Sequence, residues 1–136
     1  DFDLAWYVAA DQQEPAGGPQ EFLRRPVFTY ARHTRPYREM KTALFERIGG
    51  HAVLFPSSSL SACFRLIEAG LGVAALPKAM GNDLVRKGTL KEFDPGWTPS
   101  PLKFSASYLG EPVSHMVETT AATAYRVATD FDKKLL

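Results

Sequence analysis

Two short stretches of this 136-residue chain gather the residue types that grip a small anion: Arg32-His33-Thr34-Arg35 and Ser57-Ser58-Ser59. An arginine presents a planar fork of N–H donors that matches a carboxylate two bonds at a time. Hydroxyls and free main-chain N–H groups at a helix start add neutral donors and the positive end of the helix dipole. Each stretch lies between a strand pattern and a helix pattern. Each should therefore set a helix start at the carboxyl end of a strand, where open α/β sheets hold their ligands. His33 adds an imidazole able to sense protonation or to meet a ligand. A plainer reading competes: Thr34 and the serines only cap helices, and the arginines are solvated. The residues by themselves leave both open.

Other chemistry is less well supported. Cys63 falls on the apolar face of a helix, where a thiol stays buried and protonated and makes a poor nucleophile. With no second cysteine there is no intramolecular disulfide. Gly70-Leu71-Gly72 follows a helix and precedes a strand, the reverse of a dinucleotide fingerprint, and lacks its third glycine. No Gly-x-Ser-x-Gly, no catalytically spaced pair of carboxylates and no His-Glu-x-x-His occurs. His51 and His115 have no metal-like spacing with another ligand. Glu111, Glu118, Asp130 and Asp132 read as solvated or helix-end charges, and Trp6 and Trp97 as packing residues. The expectation is a protein that is not an enzyme, with no catalytic residue, no metal and no cofactor.

The elements that must position the two stretches follow from periodicity and punctuation. Leu4–Ala10 is an apolar, aromatic-rich strand, and residues 14–20 form a loop with two prolines and two glycines. Pro26–Ala31 is a second strand. Thr34 caps a helix whose face runs through Tyr37, Met40, Leu44 and Ile48 until Gly49-Gly50 stops it. Ala52–Phe55 is a third strand. The serines open a second helix with Leu60, Cys63, Phe64 and Ile67 on one face, and Val73–Leu76 follows as a wholly apolar strand. Pro77–Lys87 is a short helix, Leu90–Phe93 and Leu102–Leu109 are strands, and the last helix covers about 113–135. This alternation predicts an α/β fold with a doubly wound, mainly parallel sheet and helices on both faces. In it the second, third and Val73–Leu76 strands share one parallel sheet, and the two candidate stretches lie side by side.

Glu68-Ala-Gly-Leu-Gly-Val-Ala-Ala-Leu-Pro77 resembles the xxGxGhxhhP signature of the effector-binding domain of LysR-type transcriptional regulators. Phe28–Tyr37 is similar to the strand and loop that open that domain's second lobe, and Leu84–Trp97 with Pro101–Tyr108 to its return strands. The resemblance implies a type 2 periplasmic-binding-protein-like lobe. It makes residues 1–136 a partial effector-binding domain: about 11–101 as the second lobe, with 1–10 and 102–136 as crossover strands and a C-terminal helix of the first lobe. It also implies a small effector, anionic or carboxylate, held between lobes at Arg32, His33, Thr34, Arg35, Ser57, Ser58 and Ser59. DNA would be reached only through a helix-turn-helix absent from this sequence. A cytoplasmic homo-oligomer with no membrane partner completes the expectation. A lobe of a type 2 periplasmic solute-binding protein is the alternative, and a hydrolase or transferase of α/β type ranks last.

Composition agrees with one ordinary domain at most. The apolar fraction of 45% and charged fraction of 23% are those of a globular chain, and the net charge of +1 gives no basic face for nucleic acid. No run is long enough to span a membrane and no signal peptide opens the chain. The start at Asp1, without an initiator methionine, reads as a piece of something longer. The last helix carries an apolar stripe through Val117, Ala124, Val127, Phe131 and Leu135. Such a stripe is expected to be covered by another copy, a swapped element or first-lobe polypeptide.

Overall fold

The strand β1 (Leu4–Ala9) is buried from end to end, and its alternate residues enter two different cores. Ala5 and Tyr7 join Phe28, Cys63, Phe64, Ile67, Ala74, Leu76 and Leu90 on one side. Trp6 and Val8 join Phe22, Leu23, Val27, Met40, Leu44, Val73 and Ala75 on the other. The computed structural model that shows this describes residues 1–135, apart from the side chains of Asp132 and Leu135. The chain divides between Leu102 and Lys103 into two units.

Unit 1 follows the expected alternation: β2 (Val27–Thr29), α1 (Arg35–Ile48), β3 (Leu54–Pro56), α2 (Leu60–Glu68), β4 (Ala74–Pro77), α3 (Lys78–Arg86) and β5 (Leu90–Phe93). A single 3-10 turn, Pro19–Arg24, occupies part of the loop before β2 and buries Phe22 and Leu23. β2 and β3 form a parallel ladder, while β1 lies between β4 and β5, antiparallel to both. A parallel bridge between Val27 and Val73 joins the two ladders. There Phe28 N–H donates to the Val73 carbonyl and Val73 N–H to that of Pro26, each at 2.9 Å. The three strands expected together are thus neighbours running the same way. What differs is the mixed character of the sheet. β4 and β5 run parallel, joined over α3, and β1 slots between them in the opposite sense. Since α2 and α3 supply one core and α1 the other, the sheet is wound on both faces, as expected of this α/β class.

Local signals account for the elements. Thr34 Oγ1 accepts from Tyr37 N–H at 3.4 Å and caps α1, and Gly49, at φ 57, ends it. Ser59 Oγ accepts from Ala62 N–H at 3.2 Å and caps α2, whose buried residues are Cys63, Phe64 and Ile67. Gly72 is required by a close approach: a Cβ there would stand 2.2 Å from the Pro26 carbonyl oxygen and 2.9 Å from the Phe28 ring. β3 is an edge. Val27 N–H donates to the Val53 carbonyl and Ser57 N–H to that of Thr29, so odd-numbered backbone groups face β2. Pro56 then lies at the free edge, where its missing N–H denies a donor to any further strand.

The strand expected over Leu102–Leu109 does not form. Leu102 alone pairs, exchanging both hydrogen bonds with Phe2 at 2.8 and 2.9 Å. Residues 103–114 carry no helix or strand, and Leu109 is 82% exposed. A strand needs a neighbour to satisfy its N–H and C=O groups, and the described residues offer this stretch none. Unit 2 otherwise consists of α4 (His115–Leu135). A groove of about 300 Å³ runs along it, lined by Ala106, Tyr108, Val117 and Ala124 among others. Of the expected stripe, Val117, Ala124, Val127 and Phe131 are exposed, Val127 by 60%; the Leu135 side chain lies outside the described residues.

Candidate functional site

Parallel pairing of β2 with β3 sets Thr29 opposite Pro56, so the two stretches singled out above leave the same end of adjacent strands. Ser57 N–H donates to the Thr29 carbonyl at 2.9 Å and ties one stretch to the root of the other. Tyr30 then organises the surroundings. Its hydroxyl donates to the Ala75 carbonyl at 2.9 Å, locking it to β4. Tyr30 forms a small buried cluster with Leu4 and Leu102, against which Tyr37 from the first turn of α1 and Leu60 at the start of α2 pack. Two helix N-termini therefore border one cluster, next to the Phe2–Leu102 pair.

The electrostatics follow from this packing. Burial, and after it the neighbouring Cys63, push the Tyr30 phenol above the ordinary tyrosine range. Burial also pushes the Cys63 thiol up, with a hydrogen bond from Ser57 working against it. Cys63 is fully buried. The thiol thus lies beneath the serine stretch as a small apolar group. Neither stretch contains an acid, and the nearest in sequence is Glu39.

Each candidate residue has a definite situation. Arg32 is exposed and, among the described residues, has no ion-pair partner. His33 is exposed, and its carbonyl accepts from Arg38 Nη1 at 3.1 Å. Thr34 is committed to capping α1 and donates its hydroxyl to the Ala31 carbonyl at 2.7 Å. Arg35 pairs with Glu39 at 3.6 Å on the outside of α1. Ser57 Oγ accepts from Ser59 N–H at 3.1 Å and lies 3.2 Å from the Ser59 carbonyl. Ser58 is exposed, and Ser59 caps α2. The plainer reading therefore accounts for Thr34 and Ser59, whose caps take the Tyr37 and Ala62 N–H groups, and leaves Arg32 and Ser58 uncommitted.

Two neighbours of the site are not set apart by the sequence: the pattern places Thr29 and Tyr30 simply within the Pro26–Ala31 strand. Thr29 is 2% exposed, and its hydroxyl has no hydrogen-bond partner. The signal was a lone hydroxyl inside an apolar run, at the residue before the loop. Among the described residues, no cluster of His, Cys, Asp and Glu could hold a metal, and no helix is long and apolar enough to cross a membrane.

Comparison with known proteins places this geometry in context. The family model of the LysR substrate binding domain matches residues 1–121. No curated protein matches the chain. Among solved structures, full-length HypT from Salmonella typhimurium, a hypochlorite-specific LysR-type transcriptional regulator, aligns at 17% identity. The alignment covers 88% of this chain and 41% of that one, with a TM-score of 0.57. The apo regulatory domain of HypT aligns at 20% identity over 68% of this chain and 45% of its own, TM-score 0.52. A TctC solute binding protein from Polaromonas aligns at 16% identity over 68% of this chain and 33% of its own, TM-score 0.54. These likenesses show the fold that the two kinds of protein share. The chain spans about half the length of the HypT regulatory domains it matches.

Proposed function

Because the chain belongs to the LysR substrate-binding-domain family, we propose that it is the ligand-sensing part of a LysR-type transcriptional regulator that holds a small anionic effector between two lobes. The observation that carries this is the convergence of the α1 and α2 N-termini at the Tyr30 cluster, beside an acid-free run holding Arg32, Arg35 and Arg38. Backbone N–H groups, Arg32, His33, Thr34, Arg35 and Ser57, Ser58 and Ser59 would meet the effector from this lobe. About residues 11–101, within unit 1, would be the second lobe, and the chain would cross to the first near the Phe2–Leu102 pair. Effector in the cleft would favour the closed arrangement of the lobes and so shift an oligomer on DNA, with the DNA-binding part elsewhere in the parent protein. Such a protein works in the cytoplasm and is not an enzyme.

The likeness to the TctC solute binding protein keeps a second reading in view, a lobe of a periplasmic solute-binding protein. Sequencing the gene upstream of the Asp1 codon separates the two: a helix-turn-helix supports the regulator and a secretory signal overturns it. A thermal-shift screen of small carboxylates and phenolic acids on the intact effector domain tests the ligand class. Stabilisation by neutral compounds alone would overturn the anionic assignment.

A further inference from the structure

The far end of the sheet, away from residues 32–35 and 57–59, brings two cations together. β2, β3 and β4 run one way and β1 the other, so the residues after β1 meet those before β2 and those opening β5. There Arg25 Nη1 donates to Gln12 Oε1, and Lys91 Nζ donates to the Gln12 carbonyl. Both cations stand over one sheet face. Lys91 shares the face of Phe93 by strand alternation, the Phe93 and Phe22 rings lie 4.9 Å apart, and the Arg25 guanidinium is 5.1 Å above Phe22. Ala10 N–H donates to the Thr89 carbonyl at 3.1 Å and ties the end of β1 to the start of β5.

No acid answers this pair. Arg25, Lys91 and Gln12 are half-buried, and among the described residues neither cation has an ion-pair partner. The nearby carboxylates are engaged elsewhere: Glu21 with Arg24 at 3.2 Å, Glu92 with the Tyr7 hydroxyl at 3.4 Å, and Asp11 with the Gln12 amide at 3.3 Å. Glu14 is exposed and pairs with neither. Two partly desolvated cations thus rest on neutral oxygens of a single residue, where an anionic acceptor would form bonds roughly twice as strong.

We propose that Arg25 and Lys91, bridged by Gln12, bind a phosphate group, as inorganic phosphate or as the end of a small phosphomonoester. A carboxylate brings one charge and answers one of the two cations. A phosphate brings up to two charges and three acceptor oxygens, enough for the guanidinium fork, the ammonium and the Gln12 amide at once. An occupant would pin the loop after β1 and the residue before β2 to β5.

The test uses the 136-residue chain, ¹⁵N-labelled, titrated at constant ionic strength with inorganic phosphate and glycerol phosphate, and with acetate and chloride as counterparts. Phosphate is expected to shift the amides of residues 11–13, 24, 25 and 89–91. A response to both phosphates assigns a phosphomonoester site, and a response to inorganic phosphate alone a free-ion site. Arg25→Gln and Lys91→Gln should each weaken binding about tenfold or more, the size of a charge-assisted hydrogen bond. Arg24→Gln should stay within about twofold, because Glu21 already answers that charge. Two variants carry the test if a glutamine substitution disturbs the fold: Lys91→Arg should bind within about threefold of wild type, and Asp11→Asn about twofold tighter. The proposal is overturned if neither phosphate moves these amides or if acetate or chloride moves them as far. It is equally overturned if Lys91→Gln binds as wild type or Arg24→Gln loses as much as Arg25→Gln.

Discussion

Replacing Gly72 by alanine tests the way unit 1 is held together. The added Cβ would stand 2.2 Å from the Pro26 carbonyl oxygen and 2.9 Å from Phe28 Cε2. Neither is the far end of a flexible side chain, so β2 must retreat from the start of β4 by about 1 Å to restore ordinary contact. The retreat strikes the two 2.9 Å bonds, Phe28 N–H to Val73 and Val73 N–H to Pro26, that join the two ladders. Two lost backbone bonds at about 1 kcal/mol each, with overpacking strain of about 1–3 kcal/mol, give a loss of roughly 3–5 kcal/mol. That is a large share of the roughly 5–15 kcal/mol that stabilises an ordinary domain. Urea unfolding followed by circular dichroism measures it. Gly88→Ala is the control: φ is +75 there but nothing lies within 4 Å of the new methyl, so only the left-handed backbone is penalised, by about 1 kcal/mol. A Gly72→Ala loss no larger than that of Gly88→Ala would refute the reasoning, as would unchanged exchange protection at the Phe28 and Val73 amides.

Three further outcomes are expected. Thr29→Val should raise the stability of the unliganded chain by about 1 kcal/mol, because it removes a buried hydroxyl that has no partner; a loss on thermal unfolding would show that the hydroxyl is satisfied. Burial raises the Tyr7 and Tyr30 phenols, so both stay protonated in the fold while their unfolded counterparts ionise near pH 10. Their contribution is complete below that pH and fades as pH climbs above it, and tyrosinate absorbance should show these two titrating only with unfolding; reversible titration in the native protein would contradict this. Exposed apolar residues of unit 2, among them Leu109, Met116 and Tyr125, should make the isolated chain self-associate, and a monodisperse species of 15.0 kDa in light scattering would refute that.

The sequence was most legible where a local rule had a single outcome. Thr34 and Ser59 cap the helices expected of them, and the Leu60, Cys63, Phe64, Ile67 face turns inward with Leu60 only half-buried. Neighbouring strands of like direction followed from short crossovers. The antiparallel seat of β1 did not, because nothing local in Leu4–Ala9 says which way its partners run. Apolar alternation over Leu102–Leu109 suggested a strand, but pattern supplies only a suitable face, and a strand also needs an edge to pair with. At the site the loops were readable from composition, since arginines and serines stood at strand ends. Thr29 and Tyr30 were not, because their importance comes from their surroundings: Tyr30 bonds to the Ala75 carbonyl and sits in the cluster against which Tyr37 and Leu60 pack. The opposite fates of Arg32 and Arg35 turn on Glu39, four residues along a helix, which makes Arg35 the legible one in retrospect.

The Phe2–Leu102 pair has a consequence for assembly. Two residues that exchange both hydrogen bonds hold their Cα atoms about 5.5 Å apart, although a hundred positions separate them in sequence. Once unit 1 has folded, polypeptide flanking the two residues behaves as if joined by a tight turn. The entropy of closing so long a loop, which grows as the logarithm of its length, is already spent. Any structure built from chain on both sides then forms at the high effective concentration of a short tether. Within any larger fold unit 1 would be an insertion whose ends already meet, and it should tolerate having its ends fused at this point and opened elsewhere.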